Sequence, residues 1–171
     1  MNLRPLTTAF DKYWAQVIGK IPAWYRPWLH RLGIMTMPVV WGGILGALLV
    51  LRVLPEPSFY AAFAVIALIP LGSVLKAIIR RKRPPTIYAN HMKIKTSSFP
   101  SGHAYAAMLA AGYLAYTAFV SGQWLITALL AILIFIIGIS RVHLGAHYPS
   151  DVLGGWTLGV VVLGLIISLI P

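Results

Sequence analysis

Apolar and polar positions alternate along this chain in long blocks. Five uncharged apolar runs stand out: Leu32–Leu51, Ser58–Leu75 (extendable to Ile79), Gly102–Val120, Trp124–Ile139 and Val152–Ile170. A helix needs about 20 residues to cross about 30 Å of hydrocarbon. The runs are continuous rather than alternating, so they predict helices and not barrel strands. The fourth is short, but Gln123 and Ser140 at its borders can sit at the interface. In the first 31 residues Phe10, Trp14, Val17, Ile18 and Ile21 share one helical face, with Asp11, Lys12 and Lys20 elsewhere. That pattern predicts an amphipathic helix lying in the membrane interface. Pro22 ends it, and Ala23–Trp28 reads as an aromatic-belt connector. No apolar stretch follows the early charges closely enough for a signal peptide. Gly42/Gly46 and Gly155/Gly159 have the small-xxx-small spacing of closely packed helices, expected within the bundle.

The expected architecture is an all-α integral membrane bundle. Five transmembrane helices (residues 32–171) and an interfacial segment (residues 1–31) form a single domain. Composition agrees, with 171 residues, 59% hydrophobic and only 10% charged. A soluble domain of this size has too little interior to hide that apolar surface. Cysteine is absent, which excludes disulfides, thiolate metal sites and cysteine nucleophiles. The three acids, Asp11, Glu56 and Asp151, are scattered, so a two-metal site is not expected. The net charge of +11 points to anionic partners, and a mostly membrane chain makes these lipid phosphates rather than nucleic acid.

Five crossings place the N-terminal segment, the Arg80–Ser101 loop and the Ser140–Asp151 loop on one side. Of the 14 Lys and Arg, Arg52 alone lies opposite. The positive-inside rule by itself would make that face cytoplasmic. The inference weakens if some of these cations serve chemistry.

Three clusters share this face. Lys76 and Arg83-Pro84 close the second run, and Lys76 sits a turn inside it, where a charge is costly and usually functional. Arg80, Arg81 and Lys82 read as a lipid-headgroup patch. Pro100-Ser101-Gly102-His103 opens the third run, where a helix start offers free N–H groups to an anion and Gly102 permits close approach. Ser140-Arg141, His147 and Asp151 form the third cluster. Asp151 follows His147 by four residues, one turn if the stretch is helical. An Asp on one imidazole nitrogen fixes the tautomer and leaves the other free to attack. Together the clusters suit metal-free phosphoryl transfer. Cations neutralise the phosphate oxygens, one His is the nucleophile and the other protonates the leaving oxygen.

The pattern K-x6-RP, PSGH, SR-x5-H-x3-D resembles the type 2 phosphatidic acid phosphatase (PAP2) family. These are membrane lipid phosphatases related to vanadium haloperoxidases. Here it reads Lys76-AIIRRK-Arg83-Pro84, Pro100-Ser101-Gly102-His103 and Ser140-Arg141-VHLGA-His147-YPS-Asp151, with every motif position and spacing kept. The resemblance implies that His147 attacks phosphorus and forms a phosphohistidine. Asp151 orients and charge-stabilises His147. His103 protonates the leaving group, then activates water. Lys76, Arg83, Ser101, Gly102 and Arg141 hold the phosphate. No metal and no cofactor is implied. The expected substrate is a lipid phosphate or diphosphate such as undecaprenyl diphosphate, phosphatidylglycerophosphate or phosphatidate. Family analogy favours a bacterial plasma-membrane protein with an extracytoplasmic site, against the cation count. The alternatives are a phosphotransferase using the same phosphohistidine, or a non-catalytic lipid-phosphate binder or transporter. His30 and His143 read as interface residues, His91, Lys93 and Lys95 as loop residues, and Tyr148-Pro149 as the entry to the last helix.

Overall fold

A computed structural model describes residues 9–19, 24, 26–54, 57–90 and 96–170. Arg4, Lys20, Ile21, Pro22, Ala23, Tyr25, Glu56, His91, Lys93 and Lys95 lie outside them. The described residues form helices and no strand. They are α1 (Ala9–Gly19), α2 (Arg26–Met35), α3 (Pro38–Val50), α4 (Pro57–Leu68), α5 (Leu71–Ile79), the short α6 (Ile87–Asn90), α7 (Gly102–Val120), α8 (Trp124–His143) and α9 (Pro149–Leu169).

Two of the expected runs are broken by proline. The first is a pair, α2 and α3, bent by 50°. Pro38 occupies the first turn of α3, where a missing N–H costs nothing. Helix α2 begins at Arg26, so the end of the expected aromatic connector is already helical. The second run breaks at Ile69–Pro70 between α4 and α5. Proline cannot donate to the helical ladder, and the nearby carbonyl of Leu68 accepts the Tyr105 hydroxyl at 2.7 Å instead. Among the described residues, three helices are long and apolar enough to cross a membrane: Ser58–Ile79, Trp124–His143 and Pro149–Leu169. The α2–α3 pair would make a fourth.

Helix α7 is the hub. It packs against α8 and α9 on its sides and against α3, α4 and α5. Its Ala104, Ala106, Ala107, Ala110 and Ala111 are buried, so neighbouring helices come close and the helix needs little hydropathy of its own. Buried Tyr113 ties it to α4 by donating to the Ser58 carbonyl at 2.6 Å. The Gly155/Gly159 pair works as expected. A Cβ at Gly155 would lie 2.7 Å from the Ser101 carbonyl oxygen, and one at Gly159 would lie 2.6 Å from Met108 Cβ. This close contact of α9 with α7 brings the second and third motifs together. The Gly42/Gly46 pair does not work this way. Nothing lies within 4 Å of a Cβ at Gly46, and only Ile69 approaches Gly42, at 3.9 Å. Outward faces stay apolar, with Phe63, Leu125, Phe135 and Leu165 exposed, as a lipid solvent would accept.

Candidate active site

The first motif reaches the site through a reversal. Helix α5 ends at Ile79, and Arg80 adopts φ +52°, the left-handed conformation common at helix ends. The chain then runs back beside residues 96–98. Ser98 N–H donates to the Arg81 carbonyl at 2.8 Å, and Arg83 Nε donates to the Thr96 carbonyl at 2.8 Å. Lys76 Nζ donates to the Ser97 carbonyl at 3.2 Å, and Ser97 Oγ returns a bond to the Lys76 carbonyl at 2.6 Å. Lys76 thus lies against the second motif. Its Cε is 3.5 Å from where a Gly102 Cβ would be.

Ser101 caps α7 with extended backbone, and its N–H donates to the Asp151 carbonyl at 2.9 Å. Its hydroxyl is fully buried and has no hydrogen-bond partner among the described residues. A buried orphan hydroxyl is costly in an apolar site and suits one that receives a phosphate oxygen. His103 Nε2 lies 3.0 Å from the Gly33 carbonyl of α2. A carbonyl can only accept, so Nε2 carries the proton. Lys76, Arg141 and His147 are close enough to His103 to act on its charge.

Helix α8 runs past the expected end at Ile139 to His143, so Arg141 is held in a helix and not in a loop. It is only 3% exposed. Its Nε donates to Ser140 Oγ at 3.0 Å and its Nη2 to the Leu29 carbonyl of α2 at 2.9 Å. Helix α2 can come this near because Gly33 has no side chain. A Cβ there would lie 2.8 Å from the Arg141 Cζ.

His147 precedes α9 and lies outside any helix, so the one-turn spacing expected for His147 and Asp151 is not what joins them. The cap of α9 does. Asp151 is its third residue, and Asp151 Oδ2 accepts the Tyr148 N–H at 2.8 Å. The same oxygen lies 3.6 Å from His147 Nδ1, just beyond hydrogen-bond length. His147 Nε2 lies 3.2 Å from Arg83 Nη1, which also donates to the Ala146 carbonyl at 2.8 Å. A guanidinium only donates, so Nε2 holds the lone pair and Nδ1 the proton, facing Asp151. Burial pushes the His147 pKa down to about 4, with the Lys76 and Arg83 cations adding to the effect and Asp151 opposing it. The imidazole is therefore neutral at neutral pH, as a nucleophile requires.

Every motif residue named from the sequence converges here: Lys76, Arg83, Ser101, Gly102, His103, Arg141, His147 and Asp151. A cleft of about 700 Å³ opens beside them, lined by Lys76, Arg80, Arg81, Lys82, Arg83, Asn90 and Thr96 among others. His147, Ser101 and Asp151 are not part of its wall.

Three expectations are corrected. Arg81 does not simply face lipid headgroups: it lines the cleft, yet its guanidinium turns to two acids. Its side chain is 12% exposed and pairs with Asp151 at 2.5 Å and Asp11 at 2.7 Å. Asp11 and Asp151 are therefore not scattered acids, because a separation of 140 positions disappears on folding. His143 is buried, and its Nδ1 lies 3.0 Å from the Ile18 carbonyl of α1. His30 is not among these: it stays exposed, with Nδ1 3.2 Å from the Tyr88 hydroxyl. Sequence reasoning also missed Gly33 and Leu29, which act through backbone. A glycine inside an apolar helical stretch, as at Gly33, was the one usable signal of close approach.

Residues 57–171 match the family model of the PAP2 superfamily. Phosphatidylglycerophosphatase B of Bacillus subtilis is 37% identical over 105 residues, covering 56% of this chain and 49% of its own length. An undecaprenyl-diphosphatase of Sulfolobus acidocaldarius is 31% identical over 125 residues, 70% of this chain and 58% of its own. The chain thus spans about half the length of these curated relatives. The crystal structure of a transmembrane PAP2 type phosphatidylglycerolphosphate phosphatase from Bacillus subtilis superposes with a TM-score of 0.75. It shares 25% identity, over 93% of this chain and 83% of the other. The buried motif cluster, the helical architecture and these likenesses agree: the chain is an integral membrane protein belonging to the PAP2 superfamily.

Proposed function

We propose that this protein is a metal-independent membrane phosphatase that hydrolyses a lipid phosphate or diphosphate monoester through a phosphohistidine. The observation that carries the reading is His147, neutral and buried, with Nε2 on Arg83 and Nδ1 toward Asp151, beside the orphan Ser101 hydroxyl. A bound phosphate would draw the Arg83 N–H from Nε2 onto one of its own oxygens and so uncover the lone pair. Nε2 then bonds to phosphorus as the bond to the lipid oxygen breaks. His103, protonated beside the dianionic phosphate, gives its proton to that oxygen. Asp151 stabilises the positive charge that His147 acquires. Neutral His103 next takes a proton from water, which attacks the phosphohistidine and frees His147. Lys76, Arg83 and Arg141, with the Ser101 hydroxyl and the N-terminus of α7, stabilise the equatorial oxygens.

The chain is one membrane domain with five crossings: α2–α3, α4–α5, α7, α8 and α9. Helix α7 joins the set although its apolar surface is spent on protein neighbours rather than lipid. Helix α1 lies in the interface with Phe10, Trp14 and Val17 outward. The substrate is undecaprenyl diphosphate, phosphatidylglycerophosphate or phosphatidate. The relatives named above support the first two, and the cationic cleft would take the headgroup. The site faces the extracytoplasmic side. Asn90 is exposed beside the cleft, and Asn90→Cys in this cysteine-free chain should react with an impermeant maleimide in intact cells. Protection until lysis reverses the orientation.

Purified protein in detergent with EDTA should release phosphate from at least one of these lipids, and His147→Ala should not. Full activity in His147→Ala removes the nucleophile assignment. Silence of the folded wild type on every lipid removes the phosphatase reading.

A further inference from the structure

Arg81 lies in none of the motif positions, yet it holds the centre of a buried network. Its Nη1 donates to Asp151 Oδ1 at 2.5 Å and to Ser150 Oγ at 2.7 Å. Its Nη2 donates to Asp11 Oδ2 at 2.7 Å. The guanidinium lies over the Tyr148 ring, 4.5 Å from its centroid. Asp11, carried by α1, also accepts the Ser150 N–H and hydroxyl, each at 2.8 Å. Both carboxylates are fully buried at their side chains.

This arrangement divides the two oxygens of Asp151. Oδ1 belongs to Arg81, while Oδ2 takes the Tyr148 N–H and faces His147 Nδ1. The carboxylate therefore cannot rotate without breaking a charge-assisted bond. A buried carboxylate stripped of its cation is costly, and an Asp151 released from Arg81 is free to turn its Oδ2 away from His147 Nδ1. The bridge also reaches α1, which lies outside the residues matched to the family.

We propose that Arg81, itself held by Asp11 of α1, is the positioning residue that fixes the ionised Asp151 carboxylate against the nucleophile His147. This rests on the reading of His147 as nucleophile. Arg81 also lines the cleft, but its guanidinium is spent on Asp11, Ser150 and Asp151, so it reaches the reacting atoms through Asp151.

The charge of His147 answers to Lys76 of α5, Arg83 of the following turn, His103 of α7 and Asp151 of α9. Arg81 is the cation that offsets Asp151. Without it, the carboxylate is felt more strongly at His147 and the imidazole titrates higher, nearer its ordinary value. The experiment measures kcat, KM and pH profiles in detergent on an aryl phosphate and on phosphatidate, with circular dichroism and thermal melts. It compares Arg81→Gln, Arg81→Lys, Asp11→Asn, Asp151→Asn, His147→Ala and the Arg81→Gln/Asp151→Asn double variant.

Arg81→Gln should lose about 10- to 100-fold in kcat, by analogy with the partners that orient metal-bound histidines. Its KM should stay near wild type and its acid limb should move to higher pH. Arg81→Lys should recover part of the loss, because one ammonium carries the charge but not the two-pronged geometry. The double variant should be no slower than Asp151→Asn alone, since both changes remove the same interaction. If Arg81→Gln does not fold, Asp11→Asn decides, with a smaller fall in kcat and an acid limb moved to lower pH, because an anion rather than a cation has left the network. A loss that only tracks the folded fraction, with an unmoved pH limb, overturns the proposal. So do additive effects in the double variant. If His147→Ala keeps wild-type turnover, the phosphohistidine reading fails instead. If His147→Ala is inactive while Arg81→Gln matches wild type, only the positioning role fails.

Discussion

The motif-bearing stretch from Lys76 to Asp151 and the N-terminal helices α1 and α2 meet at the same site by different means. The first supplies side chains whose chemistry is specific: a lone pair at His147 Nε2, a hydroxyl at Ser101, and cations at Lys76, Arg83 and Arg141. The second supplies mostly backbone. Gly33 and Leu29 offer carbonyls to His103 and Arg141, and Ile18 offers one to His143. Asp11 adds a side chain, which reaches Arg81. Reactive groups depend on residue type, whereas a carbonyl can come from any residue placed correctly. One region is therefore readable as a pattern of letters and the other is not.

The sharpest test of that division is on the motif side. His103→Ala should cost about 10²- to 10⁴-fold in kcat on a lipid phosphate, the usual worth of a general acid. It should cost much less on an activated aryl phosphate, whose leaving oxygen needs no proton. Steady-state rates on both substrates check this, and equal losses would reassign His103 to phosphate binding alone.

A middling effect is expected from the N-terminal side. In Gly33→Ala the new methyl would occupy the space of the Arg141 guanidinium. Arg141 would lose its bond to Leu29 and its aim at the phosphate. Removing one charged hydrogen bond is worth about 1.5–3 kcal/mol, or roughly 10- to 150-fold in kcat/KM. Vanadate inhibition should weaken in parallel, because the same oxygens are gripped. Wild-type kinetics in Gly33→Ala would mean that α2 is packing and nothing more.

The smallest effect needs no mutation. His147 should titrate near 4 because burial opposes its charged form. The unfolded chain takes up this proton near the ordinary imidazole value of 6.5, so the unfolded state binds more protons between the two values. Stability should therefore fall as pH drops through that window, and the contribution should be absent above it. Nitrogen-15 shifts of the assigned His147 ring in detergent read the titration directly. An ordinary imidazole value would remove the argument that burial keeps His147 neutral.

The long apolar runs were legible because each helix must present about 20 apolar residues to lipid, whatever its partners do. Helix α7 was legible as a run, yet its role as hub was not. Buried Ala104, Ala107 and Ala111 matter through the closeness they allow, a property of two surfaces and not of one. The breaks at Pro38 and Pro70 were written in the chain, but the 50° bend of α2 against α3 depends on what the helices pack against. The pairing of His147 with Asp151 was expected from spacing, and for an incomplete reason. The spacing fits a helical turn, but the contact is made by the cap of α9.

The sequence by itself determined the membrane solvent, the helical class and the eight motif residues, because these follow from side-chain type and local spacing. Only the tertiary structure decided that Arg81 faces inward and that Asp11 meets it. It likewise decided that the carbonyls of α2 hold His103 and Arg141. These contacts join residues 70 or more positions apart. No local periodicity records them, since burial of a charge depends on whether a distant partner arrives to satisfy it.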